Sequence, residues 1–109
     1  MQYEETFFAV IYVGSKEGYD GKVHTKKEVD DILKEYCNNN SLCVSLKEIE
    51  FIYKEGYEFG FEITLINYPR FPSTKEEITN KAIVIAETLK NKFNLYRISI
   101  MCQDKTYMI

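Results

Sequence analysis

What this chain lacks limits its function before any pattern is read. It has one histidine, His24, in 109 residues, so a Ser-His-Asp or Cys-His set would have to be built on that residue, and no matching nucleophile is evident. Its three cysteines, Cys37, Cys43 and Cys102, are odd in number and contain no Cys-x-x-Cys pair. Lying in or beside apolar segments, they read as reduced, buried thiols, with a Cys37–Cys43 disulfide or a metal site as the alternative; no zinc and no other cofactor is implied. A surplus of positive charge is missing too. Fourteen basic residues against seventeen acidic ones give a net charge of -3, which argues against duplex DNA or an anionic membrane as the partner. The longest apolar run, 7–13, is too short to cross a bilayer, and the opening Met-Gln-Tyr-Glu-Glu has no basic start followed by a separate apolar core, so a soluble, cytoplasmic protein is expected. There is no internal repeat, low-complexity segment or linker.

What is present is enough to fold. With 45% apolar and 15% aromatic residues in 109, disorder is excluded as the overall state, and the length fits a single domain over 1–109. Residues 7–13 are a continuous run of strand formers ending at Gly14, which suits a central strand. Thr25 and Glu28 have capping-box spacing, and Val29, Ile32, Leu33, Tyr36 and Cys37 follow on one face of a helix that Asn38, Asn39 and Asn40 end in a left-handed turn. Leu42, Val44 and Leu46 are apolar at even positions, but Ile49, Phe51 and Tyr53 at odd ones. That change of phase predicts a bulge near Lys47 and Glu48 in an outer strand. Residues 54–57 then make a hairpin turn with Gly56 free to adopt a positive φ, and 58–66 return with Phe59, Phe61, Ile63 and Leu65 on one face.

After Pro69 and Pro72, residues 73–76 read as a second capping box before a helix with Ile78, Ala82, Ile85, Ala86, Leu89 and Phe93 along its buried stripe, ending at Asn94. A last strand over 95–102 groups Tyr96, Ile98, Ile100 and Cys102. Asp104 and Lys105 turn the chain into an apolar tail over 106–109.

The order strand, helix, strand, strand, helix, strand predicts an α+β, ferredoxin-like βαββαβ sandwich: a four-stranded antiparallel sheet of order 4-1-3-2 with two helices on one face. It places loop 15–25 and the 54–57 hairpin at one end of the sheet, and loop 68–72 with the carboxyl tail at the other. The uncovered face carries apolar side chains from the first strand, which predicts a homo-oligomer formed through it.

Loop 15–25 concentrates the chemistry. Counted from Gly14, it holds three of the five glycines, the histidine and several lysines, so its amides and the adjoining helix start suit an anion, although the glycines form neither a Walker loop nor Gly-x-Gly-x-x-Gly. The expected function is therefore a non-enzymatic binding domain for a small anionic ligand, nucleotide-like or phosphorylated. Its contacts would come from Tyr19, Asp20, Gly21, Lys22, His24 and Thr25, from Tyr57 closing over the loop, and from Tyr68 and Arg70 of another subunit. Two alternatives are a protein-interaction module using the open sheet face and a small hydrolase or transferase using His24. Glu48, Glu50, Glu58 and Glu62 have the spacing for carboxylate pairs across the hairpin but read as its solvated face. The fold is shared with RNA-recognition modules, yet their basic, glycine-rich signature is missing. It is also shared with small trimeric proteins that bind nucleotides or metabolites between subunits, an analogy of fold alone.

Overall fold

The computed structural model describes residues 1–18 and 21–109. Tyr19 and Asp20, both expected to touch a ligand, lie outside the described residues. The elements are β1 (Phe8–Gly14), α1 (Lys26–Asn39), β2 (Val44–Tyr53), β3 (Gly56–Ile66), α2 (Lys75–Phe93), β4 (Ser99–Cys102) and β5 (Thr106–Met108). The antiparallel sheet has five strands in the order β2-β3-β1-β4-β5. The first four hold the expected neighbours; the fifth corrects the expected count.

Strand alternation divides the sheet. Ala9, Ile11 and Val13 of β1, Phe61, Ile63 and Leu65 of β3, and Ile100 and Cys102 of β4 join one buried cluster with Val29 and Leu33 of α1 and Ile78, Ala82, Ile85, Ala86, Leu89 and Phe93 of α2. Both helices therefore pack on the same side, each by the stripe that its spacing predicts. Burying this many large aliphatic side chains, at roughly 1.5–3 kcal/mol each, is the main favourable term in folding.

Both helices start in capping boxes. Thr25 and Glu28 cap α1 as expected, whereas α2 is capped by Thr74 with Glu77, one residue later than the spacing suggested. Adjacent hydroxyls and adjacent carboxylates made the two registers equivalent in sequence. Asn94 ends α2 in the left-handed conformation, but Asn40 ends α1 extended, at φ -141°.

Four expectations about the strands and their turns are corrected. No bulge interrupts β2, whose pairing with β3 runs without a break from Val44↔Leu65 to Tyr53↔Gly56. The change of phase instead sends Val44 and Leu46 toward the helices and Ile49, Phe51 and Tyr53 to the open face, where Phe51 meets Tyr12 edge-on at 6.3 Å between ring centroids. In the hairpin turn it is Glu55, not Gly56, that takes the positive φ, 63°. The carboxyl tail does not stay with loop 68–72: it returns as β5, and Ile109 exchanges two backbone hydrogen bonds of 3.0 Å with Ile98, at the end of the sheet where β1 stops. Tyr96 precedes β4 and is exposed, rather than grouped with Ile98.

One further feature shapes the surface. The β1–β3 ladder ends at Gly14↔Gly60, but the β2–β3 ladder continues to the hairpin. The far half of that hairpin is thus a two-stranded ribbon extending beyond β1. Gly60 is required where the ribbon leaves the sheet, because a Cβ there would overlap the Val13 carbonyl oxygen and the Phe51 ring.

Candidate functional site

The two described limbs of loop 15–25, 15–18 and 21–25, pair with each other. The His24 N–H donates to Ser15 O at 2.6 Å, the Glu17 N–H donates to Lys22 O at 2.9 Å, and Lys16 bridges Val23. Its base is tied to the ribbon: the Ser15 N–H is shared between Phe59 O and Glu58 Oε2, each at 3.1 Å. Gly18 turns the loop with φ 57° against the Tyr96 ring.

His24 lies beneath this loop, buried, with its ring stacked on Phe93 at 4.0 Å and an interplanar angle of 6°. Nδ1 is 2.7 Å from Glu28 Oε2, and Nε2 is 3.3 Å from Glu17 Oε2 without the alignment of a hydrogen bond. Glu17 also accepts from Asn94 Nδ2 at 3.2 Å. The Glu28 carboxyl is held below the usual carboxylate range, first by its hydrogen bond to His24 and then by the Thr25 N–H. Both ring nitrogens therefore lie beside carboxylates, Nδ1 at Glu28 and Nε2 at Glu17.

Between the loop, the start of α1 and the helix-side face of the ribbon is a cleft of about 550 Å³ lined by Ser15, Val23, His24, Thr25, Lys26, Glu48, Ile49, Glu50, Phe59, Gly60 and Phe61. That volume suits a small molecule, since ligand pockets run to roughly 300–1,000 Å³. The register sets Glu48 opposite Phe61 and Glu50 opposite Phe59. Of the four acidic residues in the hairpin's strands, Glu62 pairs with Lys47 at 3.1 Å and Glu58 accepts from Ser15. Glu48 and Glu50 make no ion pair or hydrogen bond among the described residues. Lys26, which lines the same cleft, is paired with Asp30 at 2.9 Å. Two unpaired carboxylates beside two aromatic rings favour a cation, through charge and through the negative faces of the rings.

The residues expected from sequence divide three ways. His24 and Thr25 line this cleft, and Tyr57 lines a smaller recess of about 250 Å³ that shares Ser15, Val23 and Phe59 with it. Gly21 and Lys22 hold the loop closed through their backbones, Gly21 donating to Glu17 O at 2.9 Å. Tyr68 and Arg70 are at the opposite end of the sheet, gathered on Phe71 with Arg70 Cζ 5.7 Å from that ring's centroid. The cleft's other lining residues, Glu48 and Glu50 above all, were not legible as a site, because the ribbon's extension past β1 gathers them and alternation along a strand does not announce it.

No protein-family model matches the chain, and no match to a curated protein reaches significance. Two solved structures share its fold. A phage SAM lyase in its apo state superposes with a TM-score of 0.79 at 20% identity, over 94% of this chain and 87% of that one. A phage SAM lyase in complex with S-methyl-5'-thioadenosine gives a TM-score of 0.74 at 17% identity, over 100% and 92%. These likenesses correct the expectation of a non-enzymatic binding domain for an anionic ligand. Both neighbours are a lyase, and the small molecule bound in the second is a nucleoside thioether with no phosphate. Among the described residues, no helix is long and apolar enough to cross a membrane.

Proposed function

We propose that this chain, folded over 1–109 as a ferredoxin-like domain with an added edge strand, binds SAM (S-adenosylmethionine) in the cleft between the β2–β3 ribbon and the start of α1 and cleaves it to S-methyl-5'-thioadenosine. The observation that carries the reading is the likeness to a SAM lyase over nearly the full length of both chains. The cleft supports it from this chain's own residues. SAM carries a sulfonium and an ammonium, and Glu48 and Glu50 are carboxylates without partners among the described residues, facing Phe59 and Phe61.

In the reaction, the bond between the sulfonium sulfur and the γ-carbon of the amino-acid chain breaks, and its electron pair stays on sulfur. The substrate's own carboxylate closes onto that carbon to form a lactone, so neither water nor an external nucleophile is consumed. Charge is cancelled along this path. Apolar side chains along the cleft, here Val23, Phe59 and Phe61, favour such a charge-cancelling step by displacing water from the bound substrate. Glu48 and Glu50 hold the ammonium and so orient the carboxylate for attack, which is the positioning form of catalysis. His24 is no general base in this scheme, because both its nitrogens face carboxylates.

Purified protein incubated with SAM should release one S-methyl-5'-thioadenosine per SAM consumed, measured by chromatography against the spontaneous rate. Release no faster than in buffer alone overturns the proposal.

The open sheet face is assigned, in the same proposal, to contact between copies of the chain. It presents Tyr12, Ile49, Phe51, Tyr53 and Met101, of which Tyr53 is 57% exposed, an apolar surface of the kind that marks interfaces. Tyr68 and Arg70 then join a site only where a second copy supplies them. Sedimentation of the wild type and of Phe51→Asp tests this: an assembly that the substitution dissociates is expected, and a monomeric wild type refutes it.

A further inference from the structure

We infer that His24 is a positioning residue for the proposed SAM cleft: its protonated ring fastens loop 15–25 to α1 and to the end of α2, and loss of that proton releases the loop that forms one wall. The inference rests on the proposed function for its catalytic readout, but its geometry stands apart from it.

His24 Nε2 is the buried side-chain polar atom, among the described residues, that has no hydrogen-bond partner. It is nevertheless only 3.3 Å from Glu17 Oε2, while Nδ1 is engaged with Glu28 Oε2 at 2.7 Å. A neutral imidazole carries one N–H and one lone pair. If the N–H is on Nδ1, the Nε2 lone pair points toward a carboxylate and the two repel. Only the imidazolium offers an N–H to each acid. Protonation therefore turns a repulsive contact with Glu17 into an attractive one.

Glu17 is the right residue to transmit that change. Its N–H and carbonyl make the hydrogen bonds to Lys22 and Gly21 that close the loop, and its second carboxylate oxygen accepts from Asn94 at the end of α2. Ser15 and Val23, on either side of these bonds, line the cleft. The charged groups around the ring act in both directions. Glu17 and Glu28 favour the cation, as do the carbonyl end of α2 at Phe93 and Glu48 and Glu50 across the cleft. Lys16 and Lys22 of the loop, Lys26 at the amide end of α1, and Lys90 and Lys92 in the last turn of α2 oppose it.

Because the chain has one histidine, the ring can be followed directly. In protein labelled with ¹⁵N-histidine, ring titration is expected to coincide with loss of hydrogen-exchange protection at the Glu17 and His24 amides, while Ile11 and Ile63 stay protected. The kcat/KM for SAM should fall with rising pH over the same interval. Glu17→Gln removes one acid without touching the cleft, and should move ring titration, loop release and the kcat/KM fall together to lower pH. Ring titration that leaves loop protection unchanged overturns the inference, as does a kcat/KM profile that Glu17→Gln does not move. A protein that never cleaves SAM defeats the proposed function instead, and leaves the exchange measurement to decide the role of His24.

Discussion

Glu28 holds two segments with one carboxylate: Oε2 meets His24 Nδ1 at 2.7 Å, and Oε1 accepts the Thr25 N–H at 3.2 Å. The cap of α1 and the anchor of the loop are thus a single group.

That dual bond has a pH signature. The Glu28 carboxyl is held below its ordinary value of 4.5, chiefly by His24 and then by Thr25. A carboxylate with a lowered folded pKa stabilises the native state above its unfolded pKa, and that contribution is lost as pH falls through the folded one. Glu28→Gln should therefore lower the Tm at neutral pH, and the difference from wild type should shrink progressively below about pH 4.5. A Tm difference that is constant from pH 7 to pH 3 contradicts this.

Gly60→Ala tests the corner where the ribbon leaves the sheet. The added Cβ meets the Val13 carbonyl oxygen, which is backbone and cannot swing aside. Overpacking of this kind costs about 1–3 kcal/mol, to be read from the urea midpoint at unchanged m-value. Little change in the midpoint would mean that the strands separate more easily than the register implies.

Substitution of the cleft carboxylates should split binding by ligand. Each charge-assisted hydrogen bond contributes about 1.5–3 kcal/mol, so Glu48→Gln combined with Glu50→Gln should raise the KM for SAM by roughly tenfold or more. S-methyl-5'-thioadenosine lacks the ammonium, so its Kd should change by less than about threefold, well under 1 kcal/mol. Equal losses for both ligands would assign the acids to the nucleoside end instead.

Asn67 provides the control at the far pole. Its Nδ2 donates to Glu5 O at 2.8 Å, its Oδ1 accepts from the Ser73 N–H at 2.8 Å, and its own N–H donates to Phe7 O at 2.9 Å. Asn67→Ala removes the two side-chain bonds in a buried setting and should cost about 1–3 kcal/mol. The KM for SAM should stay unchanged, and a shift in it would connect the two ends of the sheet.

Local signals in the sequence carried the helices. Thr25 and Glu28 cap α1 because both partners lie within one turn, and the i, i+3, i+4 spacing of Val29, Ile32 and Leu33 marks its buried side without reference to the rest of the chain. Strand phase was less informative. The switch at Lys47 and Glu48 fits a bulge as well as it fits a strand that leaves the helices' cover, and the β2–β3 register decides for the second. For the same reason Glu48 and Glu50 read as a solvated face. β5 was missed because three residues are too few to show alternation, and its pairing with β4 is a tertiary contact. Loop 15–25 stood out by composition, but its lysine surplus suggested the wrong charge: Glu17 and Glu28 lie against His24, and Lys26 is paired with Asp30.

The ribbon's extension past β1 gives the cleft two unlike sides. Loop 15–25 and α1 rest on the core through His24 and Phe93, whereas the hairpin beyond Gly60 is braced by its own ladder and by Ser15. Two-stranded ribbons twist more freely than strands inside a wide sheet. A ligand that grows toward the hairpin is therefore accommodated by bending it outward, whereas one that grows toward α1 meets a wall that does not give. Tolerance for altered substrates should be lopsided, generous on one flank and strict on the other.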